Sequence, residues 1–288
     1  MTTSATEQAV QTTGWLTAAV RAREYLRADA YLADPYARAL VTDDAVAQLD
    51  GIAETGVSTE CVVVRGRLGD EIVRGAAARG VRQAVGLGAG SDTRPYRLQL
   101  PAGFRFFELD LPGQIATKHG RLAEAGFTPV HDVFSVEGDL RADFAPGLLA
   151  AGFAPDQPCV WFAEGLLQYL EPPAVNALIH QVSALSADGS EFFFDVMHEE
   201  YANDPAHVRV AALMQELGVQ ISLAPADGPM RWLAGHGWTA VTYAETDLLV
   251  GACPLIPPLP ARLAVDPRMI RYVHATNSPL SRHPAAAA

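Results

Sequence analysis

Short apolar runs recur along the middle of the chain, and stretches with helical periodicity separate them. The apolar runs, which are typical of buried strands, cover 83–88, 105–110, about 129–136, 158–164 and 190–197. The helical stretches cover 112–125, 172–185 and 205–217. Strands that alternate with helices form βαβ units, which build parallel sheets covered on both faces. The pattern therefore predicts an α/β fold with a doubly wound, mostly parallel sheet.

Two further apolar runs lie near the end of the chain, at 238–245 and 269–276. Both are rich in β-branched and aromatic residues, as strands are. Helical segments precede them only loosely, so we expect a terminal hairpin. Such a pair would add an antiparallel edge to the parallel sheet, which is a common arrangement.

Helical periodicity also precedes the first apolar run, most clearly over 57–79. It predicts an N-terminal helical cap over residues 1–80. The core would then span 81–288, with a late helical insertion around 200–235. No long linker and no repeat divides the 288 residues, so we expect one structural domain overall.

The composition narrows the class of protein. The chain has 33 acidic and 21 basic side chains, a formal charge of −12, and this argues against a nucleic-acid partner. No run approaches the roughly 18 apolar residues of a membrane span, and the first residues lack a secretory signal. Three cysteines suggest no disulfide framework. We expect a cytoplasmic protein, monomeric or homodimeric, with no membrane partner.

A glycine-rich turn follows the first apolar run, with the sequence VGLGAGSDTR over 85–94. Its glycines let the backbone turn tightly and let a ligand approach closely, and Asp92 or a neighbour can cap the next helix. Gly86 and Gly88 fit the dinucleotide pattern G-x-G-x-x-G, but Ser91 occupies the third place and the extra glycine is Gly90. This spacing favours a nucleoside ligand without a pyrophosphate.

The next apolar run ends in two carboxylates, Glu108 and Asp110. Side chains two positions apart on a strand share a face, so both point the same way. A carboxylate about 20 residues beyond such a turn can accept hydrogen bonds from ribose hydroxyls. Asp110, at the strand tip, is the predicted ribose ligand, and Glu108 is either a supporting group or a solvated acid.

Four segments resemble one known family. They are LGAGSDTRPYRL (87–98), FFELDLP (106–112), GDLR (138–141) and AEGLLQYL (163–170). Together they resemble class I S-adenosylmethionine-dependent methyltransferases of the leucine carboxyl methyltransferase-like group, in its polyketide O-methyltransferase branch. The resemblance implies a Rossmann-like methyltransferase fold and S-adenosyl-L-methionine as cofactor.

The resemblance also implies roles for individual residues. Arg65 would pair with the methionine carboxylate of the cofactor, Gly88 and its neighbours would line the methionine portion, and Asp110 would hold the ribose. The remaining implied contacts are Asp139 and Leu140 with the adenine, Glu164 with the amino group, and Arg21 as a basic residue of the cap. With the glycine turn, the predicted cofactor-binding residues are Arg21, Arg65, Gly86, Gly88, Gly90, Asp92, Asp110, Asp139, Leu140 and Glu164.

The acceptor would be a small, natural-product-like molecule that is methylated on a hydroxyl or carboxyl oxygen. A phenol gains from a base and a carboxylate needs none. His198, just beyond the fifth strand, is the candidate base, against the alternative of a solvated loop histidine. Tyr169 could position the acceptor or simply pack. No zinc or magnesium spacing is visible, and we expect no metal.

Apolar side chains of the cap and of the insertion could line the acceptor pocket or form ordinary core. These side chains are Trp15, Tyr25, Tyr31, Leu213, Met214, Leu217, Met230 and Trp232. Three other functions stay open at this stage: a carboxyl methyltransferase for a protein C-terminus, a non-catalytic cofactor-binding scaffold, and a nicotinamide oxidoreductase. The last is disfavoured by Ser91 in the third glycine place.

Overall fold

The computed structural model describes residues 5–216 and 219–278, with side chains from Thr13 onwards. Seven strands form one sheet in the order β3-β2-β1-β4-β5-β7-β6. The strands are Gln83–Leu87 (β1), Arg105–Asp110 (β2), Asp132–Glu137 (β3), Val160–Ala163 (β4), Glu191–Met197 (β5), Trp238–Ala244 (β6) and Ile270–Asn277 (β7). The first five strands pair in parallel with one another, and the prediction of a doubly wound, mostly parallel sheet is confirmed.

Ten α-helices accompany the sheet in the described part of the chain. They are Ala5–Tyr25 (α1), Asp43–Thr55 (α2), Cys61–Ala78 (α3), Arg94–Arg97 (α4), Gln114–Glu124 (α5), Ala145–Ala150 (α6), Pro172–Ala184 (α7), Pro205–Glu216 (α8), Gly228–Ala234 (α9) and Glu245–Leu249 (α10). Leu217, the predicted end of the α8 helix, lies outside the described residues. None of the helices over the described residues is long and apolar enough to cross a bilayer.

The last two strands pair antiparallel with each other at the edge of the sheet, as expected, but the later strand is the one that lies next to β5. β7 pairs antiparallel with both β5 and β6, so it lies inside the sheet between them. β6 is the edge strand and runs in the same direction as β1 to β5. The two strands therefore add an antiparallel edge to the parallel sheet, as expected, and the long connection that contains α10 lets the later strand lie between β5 and β6.

Alternating side chains of the strands supply two separate cores, one on each face of the sheet. One face, with Phe106, Phe162 and Phe193, packs against the cap helices α1 to α3 and the insertion helix α8. The other face, with Trp161 and Phe194, packs against α6, α7 and α9. Because side chains two apart share a face, the polar residues at the ends of β2, β4 and β5 point toward the cap.

Candidate functional site

A cavity of about 370 Å³ lies at the carboxyl ends of β1, β2, β4 and β5, beneath the cap helices. In open α/β sheets this edge is where ligands bind. Every predicted cofactor-binding residue lines the cavity, and so does Tyr169. The predicted residues placed there are Arg21, Arg65, Gly86, Gly88, Gly90, Asp92, Asp110, Asp139, Leu140 and Glu164.

The glycine turn forms the floor of the cavity. Gly88 and Gly90 have φ values of 65° and 46°, a region that L side chains rarely adopt. A Cβ at Gly88 would also lie 3.1 Å from a methyl group of Leu166. Both positions therefore need glycine, and the turn presents bare backbone to the cavity.

Asp110 holds this turn in place from the neighbouring strand. Its Oδ2 accepts a hydrogen bond from the Gly90 N–H at 2.6 Å, and its Oδ1 accepts one from the Leu111 N–H at 2.7 Å. Burial raises the pKa of Asp110, while these two backbone donors oppose that shift. Asp110 thus fixes the turn and borders the cavity at the same time.

Glu108 points to the same face of the sheet as Asp110, but it contacts a helix and not the glycine turn. It is buried, and its two carboxylate oxygens lie 2.6 Å from the Lys118 Nζ and 2.8 Å from the His119 Nε2. Both partners belong to α5, so Glu108 attaches that helix to β2. It is not among the residues that line the cavity.

A buried ionic cluster lies behind the turn, centred on Arg94. Its guanidinium bonds to Asp70 at 3.0 Å, to Asp92 at 3.0 Å and to Glu164 at 2.6 Å. A Cβ at Gly69 of α3 would lie 2.3 Å from the Arg94 guanidinium and 2.4 Å from the Glu164 carboxylate. Only glycine at this position leaves room for the pair.

The two cavity-facing acids of this cluster respond differently to burial. Burial opposes the charge of Asp92, but the cations Arg94, Arg97 and Lys118 and a backbone hydrogen bond together outweigh it and lower the pKa to about 2. Burial dominates at Glu164 and raises the pKa to about 7, even though Arg94 acts in the opposite direction. Asp92 therefore stays ionised, whereas Glu164 exchanges a proton near neutral pH.

Arg21 connects the cap to the glycine turn. Its Nε donates to Asp34 at 2.8 Å, and one terminal nitrogen donates to the Ser91 carbonyl oxygen at 2.6 Å. Burial opposes the charge of Asp34, but Arg21 and Arg97 hold its pKa below the usual value. Thr93 donates a further hydrogen bond to Asp34 at 2.8 Å. The Arg21 guanidinium therefore bonds to Asp34 and Ser91, although the residue also lines the cavity.

Arg65 reaches the cavity from α3. One terminal nitrogen lies 3.2 Å from the Asp195 Oδ2. The other oxygen of Asp195 accepts a hydrogen bond from the Gly165 N–H at 2.6 Å. Burial works against the Arg65 charge, but the acidic groups around it, Asp195 foremost, together more than compensate and raise the pKa of the guanidinium. Arg65 is therefore a fixed cation at the cavity surface.

Asp139 and Leu140 border the cavity beyond the end of β3. The Asp139 carboxylate accepts hydrogen bonds from the Arg141 guanidinium at 2.6 and 2.9 Å. These bonds lower the pKa of Asp139, so the group is ionised at neutral pH. Leu140 is buried and offers an apolar surface beside it.

The two predicted catalytic residues lie in different places. Tyr169 lines the cavity, and its hydroxyl hydrogen-bonds to the side chains of Thr13 and Gln168. His198 is buried outside the lining, where its Nδ1 accepts a bond from the Glu200 N–H at 3.3 Å. The structure does not bring His198 to the cavity, so its proposed role as a base stays a prediction without geometric support.

Apolar side chains from the cap, the insertion and the strand ends cover one side of the cavity. This apolar wall consists of Leu16, Ile52, Val57, Val62, Met197, Val210, Met214, Ile221 and Met269. Met214 was predicted there, but most of the wall was not. Trp15 follows the alternative interpretation and belongs to the core. Tyr25 and Met230 are exposed, so both interpretations were wrong for them. Tyr31, Leu213 and Trp232 are likewise outside the lining.

Metal-binding side chains are not clustered in the described residues. Within 5–216 and 219–278, no three His, Cys, Asp or Glu side chains are grouped to hold an ion. The free cysteines Cys61, Cys159 and Cys253 are each buried.

Comparison of the fold with solved structures confirms the predicted architecture. A candidate methyltransferase from Thermobifida fusca superposes with a TM-score of 0.60 at 18% identity, covering 83% of this chain and 90% of that one. A DUF574 family protein from Streptomyces avermitilis superposes with a TM-score of 0.60 at 13% identity, covering 92% and 97%. At these identities the likeness establishes the fold alone.

Comparison of the sequence identifies the family. The model of the leucine carboxyl methyltransferase family matches residues 14–183. A protein of Saccharopolyspora erythraea, named as a candidate S-adenosyl-L-methionine-dependent methyltransferase, is 42% identical over 251 residues, 81% of this chain and 85% of that protein. One of Mycobacteroides abscessus with the same name is 37% identical over 240 residues, 80% and 78% of the two chains. The chain therefore belongs to the leucine carboxyl methyltransferase family of S-adenosyl-L-methionine-dependent methyltransferases.

Proposed function

We propose that this methyltransferase acts on an oxygen atom of a small apolar molecule, and that this oxygen is ionised before it reacts. The observation that carries the proposal is the apolar wall. It shares one cavity with the predicted cofactor contacts, so a second, apolar molecule can bind next to the cofactor.

The predicted cofactor-binding residues form the part of the cavity that is called its cofactor side below, and they fit S-adenosyl-L-methionine. The bare backbone of Gly88 and Gly90 leaves space that a Cβ would fill. Asp110 can accept hydrogen bonds from ribose hydroxyls. Arg65 offers a planar cation that suits a carboxylate, and Glu164 offers an acid for an ammonium group. These assignments agree with the roles that the family resemblance implies.

When bound, the cofactor supplies a methyl group on a positively charged sulfur, which an electron-rich oxygen can attack. The protein must then align the acceptor and keep water away. Helices α1 and α2 and the insertion helix α8 supply the wall residues Leu16, Ile52 and Val210. Because these helices cover the edge of the sheet, they can both align the acceptor and keep water away from it.

The titratable groups of the cavity favour an acceptor that arrives as an anion. No histidine is among the cavity-lining side chains of the described residues. Burial raises the pKa of Tyr169 and brings that of Cys61 to about 12, so neither is a good base at pH 7. Glu164 has a pKa of about 7, but in this proposal its carboxylate is engaged by the ammonium group of the cofactor. A carboxylate or an acidic phenol needs no base. We therefore place carboxylic acids first among the acceptors.

Calorimetric titration with S-adenosyl-L-methionine, S-adenosylhomocysteine and NADH tests the cofactor first. Micromolar binding of the first two ligands alone is the expected result. Binding of NADH alone would overturn the assignment, because the same turn would then serve a dinucleotide.

Transfer of a deuterated methyl group to a panel of acceptors tests the reaction. The panel contains aliphatic and aromatic carboxylic acids, phenols and peptides that end in leucine. Mild alkali removes a methyl ester but leaves a methyl ether, so it separates the two products. Ester formation on small apolar acids is expected. Transfer to the peptides alone would indicate a protein acceptor, and binding without any transfer would indicate a scaffold.

A further inference from the structure

Asp195 is a buried acid that contacts the cavity residues without lining the cavity itself. It sits in β5, one face of which packs against the cap helices, and only 1% of the residue is exposed. Both carboxylate oxygens have partners: Oδ1 accepts from the Gly165 N–H at 2.6 Å, and Oδ2 lies 3.2 Å from the Arg65 guanidinium. Burying a carboxylate charge costs free energy unless hydrogen-bond and ionic partners offset that cost. The two partners of Asp195 therefore indicate a specific structural role.

The surroundings of Arg65 show what that purpose is. Gly165 has a φ of 62°, and a Cβ there would lie 2.6 Å from both terminal nitrogens of the guanidinium. The guanidinium therefore lies against the backbone of the turn after β4, where Asp195 holds both the turn and the arginine. A long side chain such as arginine loses much rotamer freedom when it is fixed. Asp195 imposes that order before any ligand arrives.

We propose that Asp195 is a positioning residue that orients Arg65 toward the carboxylate of the cofactor. Its ion pair engages one terminal nitrogen, and the planar guanidinium has further N–H groups for a second carboxylate. The proposal rests on the proposed function, since it needs Arg65 to bind the amino-acid end of S-adenosyl-L-methionine. It assigns Asp195 no proton transfer.

The groups packed behind Asp195 do not compete with Arg65 for its carboxylate. Tyr272 of β7 is its register partner, but the Tyr272 hydroxyl donates to the Glu245 Oε1 at 2.5 Å. Burial raises the pKa of Glu245 to about 7, so this acid is largely uncharged below neutral pH. The Arg65 cation is therefore the ion-pair partner of Asp195 among the described residues.

A double-mutant cycle tests the proposal through binding alone. Calorimetry compares S-adenosylhomocysteine with 5′-methylthioadenosine, which shares the adenosine but lacks the amino-acid end, for wild type, Arg65→Ala, Asp195→Asn and the double variant. Asp195→Asn should weaken S-adenosylhomocysteine about tenfold or more and leave 5′-methylthioadenosine within about twofold. The double variant should bind S-adenosylhomocysteine no worse than Arg65→Ala.

Different failures of this cycle have different meanings. If Arg65→Ala does not weaken S-adenosylhomocysteine, the proposed role of Arg65 is wrong. If Arg65→Ala weakens it and Asp195→Asn does not, the positioning role is wrong. Equal losses for both ligands, or additive losses in the double variant, would show a merely structural role for Asp195 and would also overturn the proposal.

Gly165→Ala provides a test that keeps Asp195 intact, in case Asp195→Asn does not fold. The new methyl group should displace the guanidinium and reproduce the selective loss of S-adenosylhomocysteine binding. Gly126→Ala is the matched control, because Gly126 has a similar positive φ of 84° with open space around it. A selective loss in both glycine variants, or in neither, would contradict the proposal.

Discussion

The predicted cofactor side of the cavity takes most of its residues from strand ends and adds Arg21 and Arg65 from the cap helices, whereas most of the apolar wall is assembled from distant parts of the chain. Gly88, Asp110 and Glu164 each come within a few residues of a strand end, and hydrogen bonds hold each of them. The wall residues Leu16, Val210 and Met269 come from the cap, from the insertion and from the segment before β7. They meet only through packing.

This contrast indicates that the two parts of the cavity tolerate substitutions differently. Polar contacts demand particular groups at particular positions, since a lost partner leaves a buried charge or donor unsatisfied. An apolar wall tolerates exchanges of similar volume. Three of the five methionines, Met197, Met214 and Met269, lie in the wall, and methionine adapts well to differently shaped partners.

Gly69→Ala should have the largest effect, because it disrupts the ionic cluster behind the cofactor side. The new Cβ would collide with the Arg94–Glu164 pair, and breaking such a buried pair costs about 3–5 kcal/mol. Chemical denaturation should show a loss of that order. Gly75→Ala in the same helix is the control, since its Cβ would lie no closer than 3.3 Å to another group, the end of the largely exposed Arg79 side chain. Equal stability of the two variants would contradict the role of Gly69.

Asp110→Ala should have the next largest effect, mainly on binding, because the loss of its two backbone hydrogen bonds should weaken the fold without unfolding it. Loss of charge-assisted hydrogen bonds should weaken S-adenosylhomocysteine by about 10- to 100-fold in calorimetry. Thermal unfolding should show that the variant stays folded. The exposed Asp156→Ala is the control and should bind as wild type does. Unchanged affinity of Asp110→Ala would remove the ribose assignment.

Glu164 should make cofactor binding depend on pH. Its pKa near 7 means that it is mostly protonated at pH 6 and mostly ionised at pH 8. If the ionised form binds the amino group of the ligand, affinity should rise about tenfold over this interval and level off above it. Glu164→Gln should abolish that rise. A rise that survives the substitution would assign it to another group.

Val210→Ala should have the smallest effect and should act on the other side of the cavity. Loss of apolar contact should raise the KM for the acceptor roughly fivefold and leave S-adenosylhomocysteine affinity unchanged. Val208→Ala, in the same helix but 56% exposed, should change neither quantity. A change in cofactor affinity with Val210→Ala would contradict the claim that the apolar wall and the cofactor side act independently.

The glycine turn and Asp110 could be predicted from the local order of the sequence, whereas Arg21, Arg65, Asp139, Leu140 and Glu164 were implied by the family resemblance. The turn at Gly86–Gly90 follows a recognisable strand, and Asp110 ends the next one. Parallel strands place such ends at the same sheet edge. The ionic partners were harder to foresee: Asp70 and Gly69 lie in the middle of α3, and only the tertiary structure brings them to Arg94.

The wall and the sheet order could not be derived in the same way. Periodicity shows that a residue is apolar, but it does not show whether Met214 faces a cavity or Trp15 faces the core. The short apolar runs at 238–245 and 269–276 predicted strands correctly, yet nothing local shows that the second lies between two earlier strands. Helix α2 was missed, although Thr42 caps it by accepting a hydrogen bond from the Ala45 N–H.

The position of β7 has a consequence for the order in which the chain can fold during synthesis. β6 is held in the sheet by β7 alone, and β7 (Ile270–Asn277) is the last of the described strands to leave the ribosome. Until it emerges, β6 has no strand to pair with, and the outer side of β5 is an unprotected edge of the kind that favours aggregation. The nascent methyltransferase can thus assemble β1 to β5 early, but it must wait for its final strand to close the sheet.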